Sequence, residues 1–255
     1  MPLELVTIPC LSDNYAFLLH DSETGQTLVA DAPESWPIRA VLEKRGWQLT
    51  DILITHHHGD HIDGVEDLRQ IYSPRVIGAA DDAQRLPALD LKVRAGDIFQ
   101  FSGHDVQVMD VSGHTNGHIA FYIPDGGAVF TGDSLMALGC GRLFEGNPAQ
   151  MWESLSRISA LPGETLVCSG HEYTAANARF AVTIEPDNSA LARRVDDIRT
   201  ARAAGQATVP SLLSLELATN PFLRAALPGV KSALGMEDAA DSAVFAEIRQ
   251  RKDHF

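Results

Sequence analysis

The feature that most constrains this chain is a run of ligand-type side chains in the segment ITHHHGDHIDG. Four histidines and two aspartates occupy the eight positions from His56 to Asp63. Packing gives no reason for this density, because each neutral imidazole needs a partner for both ring nitrogens. Clustered imidazoles and carboxylates are, however, the groups that bind a borderline divalent metal. The run therefore predicts a metal site.

The order of residues within this run divides them into two pairs. The run follows DILIT, which has the length and composition of a buried strand. In an extended segment His56 and His58 point to one side and His57 to the other. His56 and His58 can therefore bind one metal. Asp60 and His61, which lead into the following helix, can bind a neighbouring metal.

Two metals need more ligands than this run supplies. Each of three other strand-like segments is followed by one ligand-type residue. His114 follows VQVMDVSG, Asp133 follows AVFTG, and His171 follows TLVCSG. Catalytic and metal-binding groups tend to lie on loops that rigid elements position in this way. Ligand-type groups at four strand ends indicate a catalytic layout.

The predicted secondary structure of the chain changes near Glu172. Before it, strand-like runs (AFLLHD, TLVADA, DILIT, RVIGA, VQVMDV, IAFYI) alternate with helical patterns such as PIRAVLEKRGW and VEDLRQIY. After it, YTAANARFAVTI, SALARRVDDIRTARAAG and DSAVFAEIRQRKD are helical, and no clear strand is found. We interpret TVPSLLSLELATNPFLRAALPG as an irregular connection. The pattern predicts an α/β domain over residues 1–172 and a helical domain over residues 173–255.

Charge and cysteine content limit the partners and the compartment. The net charge of −14 argues against nucleic acid and anionic membranes, which are polyanions. Three cysteines without CxxC spacing give no disulfide framework and fit a reducing compartment. MPLELVTIPC lacks a basic n-region and a long apolar run, so we expect that it is not a signal peptide, and no window reaches membrane-spanning length. We expect a cytoplasmic monomer.

Four motifs, THHHGDH, GHTNGH, FTGDSL and SGHEYT, resemble the metallo-β-lactamase superfamily. CGRLFEG, EPDN, TNPFLR and the closing RQRKDHF narrow this resemblance to glyoxalase II, the hydroxyacylglutathione hydrolases. It implies a four-layer αββα metallo-β-lactamase sandwich followed by a smaller all-helical C-terminal domain. The implied activity is hydrolysis of S-D-lactoylglutathione and related 2-hydroxyacyl glutathiones to glutathione and D-lactate, the second step of methylglyoxal detoxification.

Carried over residue by residue, the resemblance implies two divalent metal ions. The implied ligands are His56, His58 and His114 for one metal, Asp60, His61 and His171 for the other, and Asp133 as a bridge. We expect zinc, with iron and manganese as alternatives, because histidine and aspartate accept all three. A hydroxide bridging the metals would attack the thioester carbonyl, with Asp60 as the catalytic residue that orients it.

This chemistry suits a thioester. Metal coordination lowers the pKa of bound water to ~7, which makes hydroxide available at neutral pH. A thiol has a pKa of ~8.5, so a thiolate leaves without the strong general acid that an amide nitrogen requires. Hydrolysis of a thioester therefore does not require a catalytic acid, and none is obvious in the motifs.

The same resemblance assigns six residues to the glutathione moiety: Arg142, Phe144, Tyr173, Asn177, Arg249 and Lys252. Arg249 and Lys252 are three apart on a predicted helix, so they share a face that could hold a carboxylate. The alternative is a solvated basic helix end. Some relatives carry lysine and tyrosine in place of Arg142 and Phe144, which leaves the fine substrate preference open.

Five residues near the motifs receive other interpretations. His57 is interpreted as a residue that either supports a metal ligand from outside the coordination sphere or is structural, and His118 as the site of a structural hydrogen bond. Asp31 either orients a ligand imidazole or caps a turn. Asp63 is predicted to lie in the first turn of the following helix. Gly59 stands where relatives often have a bulkier residue, which opens the pocket wall.

Other functions are possible on this scaffold. An iron-dependent persulfide dioxygenase acting on a glutathione derivative would use one metal, whereas the residues of both ligand sets are present here. The net charge opposes a nuclease, and RQRKDHF favours glutathione over a lactonase substrate. A non-catalytic metal-buffering protein would have a coordinatively closed site, which the strand-end layout does not predict.

Overall fold

The computed structural model describes residues 3–255, which form two compact units that interleave along the sequence. The first unit runs to Asp110 and includes Gly117–Gly132. The second consists of Val111–Asn116 and Asp133–Phe255. Because the units interleave, they do not test the boundary placed near residue 172, and the domains 1–172 and 173–255 remain a prediction.

The strands of the first unit form two sheets. They are β1 (Leu3–Cys10), β2 (Asn14–Asp21), β3 (Gln26–Ala30), β4 (Gln48–Leu53), β5 (Arg75–Ala79), β6 (Leu91–Val93), β7 (Ile98–Phe101), β8 (His104–Asp110), β9 (Ile119–Ile123) and β10 (Ala128–Gly132). All six strand-like runs of the sequence correspond to a strand. The sequence pattern did not predict β1, β6 and β7.

The first sheet joins β1 to β6 in chain order. β1, β2 and β3 pair antiparallel, and β3 to β6 pair parallel. Parallel neighbours need a crossover, and helices supply it: α1 (Ser35–Arg45) after β3, then α2 (Gly59–Ile62) and α3 (Val65–Tyr72) after β4. The carboxyl ends of β3 and β4 therefore meet at one edge, where Asp31 N donates to Leu53 O at 2.9 Å.

Every residue of β2 is buried, because both faces of the strand are covered. Ala16 and Leu18 pack in one apolar cluster with Ile38 of α1. Phe17 points to the other face, where its ring centroid lies 6.0 Å from that of Phe130 in β10. The period of two along a strand thus joins the helical layer on one side to the second sheet on the other.

In the first unit the second sheet is antiparallel, with the order β10-β9-β8-β7. Every residue of β9 and of β10 is buried. β10 ends at Gly132, immediately before the predicted ligand Asp133.

The second unit is mainly helical. Its short strands β11 (Leu135–Met136), β12 (Gly139–Cys140), β13 (Leu166–Ser169) and β14 (Ser211–Leu212) form two antiparallel pairs, β11 with β12 and β13 with β14. Its helices are α4 (Pro148–Ser159), α5 (Thr174–Ile184), α6 (Ser189–Ala203), α7 (Leu213–Thr219), α8 (Pro228–Leu234) and α9 (Asp241–Asp253). In one apolar cluster Leu138 packs against Ala178 of α5 and Leu191 of α6.

The helices predicted for the C-terminal part are confirmed as α5, α6 and α9, but two other predictions for it are wrong. β14 is a strand where none was predicted, and the connection interpreted as irregular contains α7 and the beginning of α8. A two-residue strand is too short to give an alternating pattern. Prolines interrupt the helical pattern, although Pro228 stands in the first turn of α8, where proline is tolerated.

The mixed sheets, the helices beside them and the helical C-terminal part confirm the predicted fold class. Among the helices described between residues 3 and 255, none has the length and apolar character that crossing a bilayer requires.

Candidate functional site

Four predicted ligands converge in the first unit, beyond the end of β4. His56 Nε2 lies 3.1 Å from His58 Nδ1, and the ring centroids of His56 and His61 are 4.2 Å apart. Asp60 Oδ2 lies 3.9 Å from His61 Nε2. Donor atoms around a tetrahedral metal with bonds of ~2.0–2.1 Å are roughly 3.3 Å apart. The spacing of His56 and His58 fits a shared metal.

Asp31 orients two of these imidazoles. Its Oδ2 lies 2.8 Å from His61 Nδ1 and accepts the Thr55 hydroxyl at 2.8 Å. Thr55 Oγ1 is also 3.0 Å from His56 Nδ1. Because this hydroxyl gives its proton to Asp31, it accepts from His56 Nδ1, and the lone pair of His56 lies on Nε2. These contacts favour the ligand-orienting interpretation of Asp31 over turn capping.

Asn14 fixes the position of Asp60. Its side-chain amide donates to Asp60 O at 2.9 Å and to Asp60 Oδ2 at 3.1 Å, and Asn14 is buried. Sequence reasoning missed Asn14, because an asparagine at the start of a strand belongs to no motif and lies 46 positions from its partner.

The prediction for Asp63 is wrong. Asp63 follows the last residue of α2, whereas α3 begins at Val65. The two helices are separate because Gly64 N donates to Ala32 O, outside the helix, at 2.9 Å. A Cβ on Gly64 would lie 2.7 Å from the backbone of Glu34, so the chain passes too close for a side chain.

The other three predicted ligands converge in the second unit. Asp133 Oδ2 lies 3.5 Å from His114 Nε2 and 3.3 Å from His171 Nε2, and all three residues are buried. His114 Nδ1 lies 2.7 Å from the carbonyl oxygen of Arg142. A carbonyl only accepts, so Nδ1 donates and the lone pair of His114 lies on Nε2. One carboxylate oxygen between two imidazole nitrogens fits a shared ligand.

Two glycines allow the backbone to approach these ligands. Gly132 has φ +48°, and a Cβ there would overlap Thr55 Oγ1 and lie 2.9 Å from His118 Cε1. A Cβ on Gly141 would overlap the carbonyl oxygen of Asp133. Any larger residue at either position would push a ligand-bearing loop out of place.

His57 and His118 lie beside the ligands with other partners. His57 Nδ1 is 3.0 Å from Asp82 Oδ2. His118 Nδ1 is 3.2 Å from the carbonyl of Ile119, and its ring stacks on His56 with centroids 4.5 Å apart. These contacts are with a carboxylate, a backbone carbonyl and a neighbouring ring, and the roles of both residues stay predictions.

All six residues predicted to contact glutathione line one cavity of the second unit, with a volume of about 460 Å³. The predicted ligands His114 and Asp133 line the same cavity. Small-molecule sites commonly have volumes of about 300–1,000 Å³. The six are Arg142, Phe144, Tyr173, Asn177, Arg249 and Lys252.

Arg249 is held inside the protein rather than solvated. It is 5% exposed, and its guanidinium donates to the carbonyl oxygen of Cys140 at 3.0 Å. It also pairs with Asp253 at 2.8 Å and lies 5.2 Å from the ring centroid of Phe222. These contacts exclude a solvated helix end for Arg249.

Lys252 belongs to a cluster of four cations. Its Nζ lies 5.3 Å from the ring centroid of Phe180. Burial is the main cause that lowers the pKa of Lys252, and the positive charges of Arg249, Arg179 and Arg142 contribute in that order, so that the pKa is about 8. The Asp253 carboxylate acts on this pKa in the opposite direction, so positive charges predominate around Lys252 in a chain of net charge −14.

The remaining cavity residues differ in how firmly they are held. Asn177 is buried, and its amide donates to the carbonyl of Ala137 at 3.0 Å. Tyr173 stacks on His171 with ring centroids 4.7 Å apart. Phe144 is 64% exposed, with its ring centroid 5.2 Å from that of His114. The roles of these residues toward a substrate stay predictions.

A buried polar network supports the β11–β12 hairpin, which leads into the cavity wall. Glu216 Oε2 accepts from Leu138 N at 2.8 Å, and Glu216 is paired with Arg194. Asn220 donates to the carbonyls of Met136 and Gly139, each at 3.1 Å. Asn220 lies in TNPFLR, which the sequence analysis recognised as a family motif. The sequence did not predict which groups the Asn220 side chain contacts.

The three cysteines are buried and free of disulfides. Burial raises the pKa of Cys10 to about 12 and that of Cys140 to about 11, and it also raises the pKa of Cys168. They are protonated at neutral pH and behave as small apolar residues.

Comparison with known proteins identifies relatives along the whole chain. Residues 16–171 match the family model of the metallo-beta-lactamase superfamily, and residues 172–255 match that described as hydroxyacylglutathione hydrolase C-terminus. A hydroxyacylglutathione hydrolase of Ruegeria pomeroyi is 64% identical over 255 residues and is covered completely, as is this chain.

Two solved structures share the fold. ETHE1 from Myxococcus xanthus superposes with a TM-score of 0.69 at 25% identity, over 98% of this chain and 90% of that one. TTHA1623, solved in a di-iron-bound form, gives a TM-score of 0.57 at 29% identity, over 66% of this chain and 91% of that one.

Proposed function

This chain belongs to the hydroxyacylglutathione hydrolases of the metallo-beta-lactamase superfamily, and from that membership we propose that it hydrolyses glutathione thioesters of 2-hydroxy acids. The substrate is S-D-lactoylglutathione, and the products are glutathione and D-lactate. The observation that carries the proposal is the cavity where the predicted ligands His114 and Asp133 and the cations Arg142, Arg249 and Lys252 occur together.

The fold and its histidine and aspartate clusters suggest a binuclear metal site. We assign His56, His58 and His114 to one metal, Asp60, His61 and His171 to the other, and Asp133 to both. When bound, divalent metals supply Lewis acidity, which lowers the pKa of water and polarises a carbonyl oxygen. We propose zinc, with iron and manganese as alternatives.

Asp60 directs the attacking water. Its carboxylate is held by the Asn14 amide at 3.1 Å and remains 43% exposed, so it can accept a hydrogen bond from water. A fixed carboxylate turns the oxygen lone pair of that water toward the thioester carbonyl. Asp60 therefore contributes orientation in addition to metal binding.

The cations hold the glutathione moiety. Glutathione carries two carboxylates, and Arg249, Lys252 and Arg142 line the cavity in which we place it. Charge-assisted hydrogen bonds to carboxylates are about twice as strong as neutral ones. Anchoring the glutathione end fixes the thioester relative to Asp133 and His114, which converts binding energy into orientation.

The leaving group departs as glutathione thiolate. A thiol pKa of ~8.5 makes the thiolate a good leaving group near neutral pH, so no proton donor is needed at the sulfur. Buried Cys140, whose pKa is raised to about 11, lines the cavity as a thiol and does not compete as a nucleophile.

We also propose that the chain acts as a monomer in the cytoplasm. All six residues assigned to glutathione come from a single chain, so the site needs no second copy. The three cysteines are unpaired by disulfides, which fits a reducing compartment.

Steady-state hydrolysis of S-D-lactoylglutathione, with bound metal counted on the same sample, tests the function. We expect turnover with close to two metals per chain. Absence of turnover in a fully metallated sample would contradict the proposal. Oxygen consumption with glutathione persulfide, measured on the iron-loaded protein, then tests the persulfide dioxygenase alternative.

A further inference from the structure

The ring of His58 lies against the rings of two neighbouring histidines. His58 Nδ1 lies 3.1 Å from His56 Nε2, and the ring centroids of these two residues are 4.7 Å apart at 77°. His58 is half-buried, and the ring of His57 lies edge-on to it, with centroids 4.9 Å apart at 68°. The position of the His57 ring therefore limits the orientations that the His58 ring can adopt.

Asp82 and Arg85 hold His57 at both ring nitrogens. His57 Nδ1 lies 3.0 Å from Asp82 Oδ2, and His57 Nε2 lies 3.3 Å from Arg85 Nη1. A guanidinium only donates, so Nε2 accepts and Nδ1 donates to Asp82. Arg85 Nε also donates to Asp82 Oδ1 at 2.5 Å. The three side chains form a closed ring of hydrogen bonds that fixes the imidazole plane.

Asp82 is itself fixed by its surroundings. It is 1% exposed and ends a short 3₁₀ turn, Ala80–Asp82. A Cβ on Gly117 would lie 2.5 Å from Asp82 Cβ, so the carboxylate packs directly on that backbone. The Asp82 carboxylate is therefore a rigid anchor for the His57 ring.

We propose that His57, Asp82 and Arg85 form a clamp that positions His58 for metal binding. The proposal rests on the metal-ligand role proposed for His58. The three are positioning residues, since the metal would contact His58 and not the clamp. Partners that orient a metal ligand typically change metal affinity by about 10–100-fold when they are replaced.

The test is a zinc titration of the purified full-length protein in graded zinc buffers, counting zinc per chain, with cobalt absorption spectra as a second readout. The clamp variants are His57→Phe, Asp82→Asn and Arg85→Met. His57→Phe keeps a ring against His58 but loses both anchors. Arg85→Lys keeps one donor. Asp125→Asn is the matched control, because it breaks another histidine–aspartate contact of the first unit, His104–Asp125 at 2.8 Å.

We expect the clamp variants to bind one of the two zinc ions at least about tenfold more weakly and to change the cobalt spectrum. Arg85→Lys should lose less affinity than Arg85→Met, and Asp125→Asn should match the wild type. Zinc affinities within about twofold of wild type in His57→Phe and Arg85→Met would overturn the proposal. So would a lowered melting temperature in Asp82→Asn with both zinc affinities unchanged, which is the result of a purely structural role.

Arg85 is about one-third exposed on its side chain, so Arg85→Met keeps the test valid if Asp82→Asn does not fold. The wild-type protein separates this inference from the proposed function. Two zinc ions and turnover of the thioester in the wild type uphold the function, whatever the clamp variants show.

Discussion

The ligand clusters and the cation-lined cavity hold their side chains in different ways. Histidines that we propose as ligands are fixed by directed hydrogen bonds, as His114 is by the carbonyl of Arg142 at 2.7 Å. Arg249 and Lys252 lie over aromatic rings, and most of the charges that act on Lys252 are positive, although Arg249 also pairs with Asp253 at 2.8 Å. In our proposal the first arrangement holds donor atoms for metals, and the second holds an anion.

Because of this difference, substitutions in the two sets of residues should change different measurable quantities. Coordination requires donor atoms at defined distances, so disturbing a ligand should change metal content and kcat. Anion binding by a cation cluster depends on charge, so disturbing it should change KM and its dependence on pH and salt.

Asp133→Asn should have the largest effect. Its Oδ2 lies within 3.5 Å of both His114 and His171, so the neutral amide weakens binding of both proposed metals. We expect kcat to fall by at least about 10³-fold, because losing one preorganised charge-stabilising group already costs about 10²–10³-fold. Metal counting and kinetics on the same sample measure this. Two bound metals and turnover within tenfold of wild type would contradict it.

Replacing both Arg249 and Lys252 by methionine should raise KM by roughly 100-fold, because each charge-assisted hydrogen bond contributes about 1.5–3 kcal/mol. Metal content should not change. Arg251→Met is the control, since Arg251 lies on the same helix and is exposed. Loss of metal in the double variant, or an unchanged KM, would break the contrast between the two regions.

KM should rise about three- to tenfold between pH 7 and pH 9, a tenfold change corresponding to one pKa unit. The pKa of Lys252 is lowered to about 8, so Lys252 loses its positive charge as the pH rises through that value. Lys252→Arg should remove this dependence, because a guanidinium stays charged. A pH profile of KM identical in wild type and Lys252→Arg would assign the titration to another group.

Salt should have the smallest effect. Raising ionic strength from about 0.1 M to 1 M shortens the Debye length from ~10 Å to ~3 Å, which screens the cation cluster. We expect KM to rise about two- to threefold while the metal count stays constant. The Arg249 and Lys252 double variant should show a weaker salt dependence. An equal response in both proteins would place the salt effect elsewhere.

The sequence indicated the ligands more completely than the residues that support them. His56, His58 and His61 lie in one short run, and their donor chemistry is independent of the fold. Asn14 and Asp82 could not be predicted, because their partners lie 46 and 25 positions away. A polar residue without a motif carries no local signal of a distant partner.

The sequence predicted the residue types that line the cavity, but not how far each side chain is buried. The closing motif RQRKDHF identified Arg249 and Lys252, yet it left a solvated helix end as an alternative for both. The structure decides this for Arg249, because the Cys140 carbonyl and Phe222 surround it. Exposure depends on residues far away in the chain, so the sequence pattern alone could not determine it.

The sequence by itself determined which chemical groups the protein carries, where its principal strands and helices run, and the family to which it belongs. These properties follow from side-chain identity and local periodicity, which are written in neighbouring residues. Tertiary structure decided the tautomer of each oriented histidine, the burial of Arg249, the lowered pKa of Lys252 and the break between α2 and α3 at Gly64. Each depends on contacts between residues distant in sequence, because hydrogen-bond partners, desolvation and local charge exist only once the chain has folded.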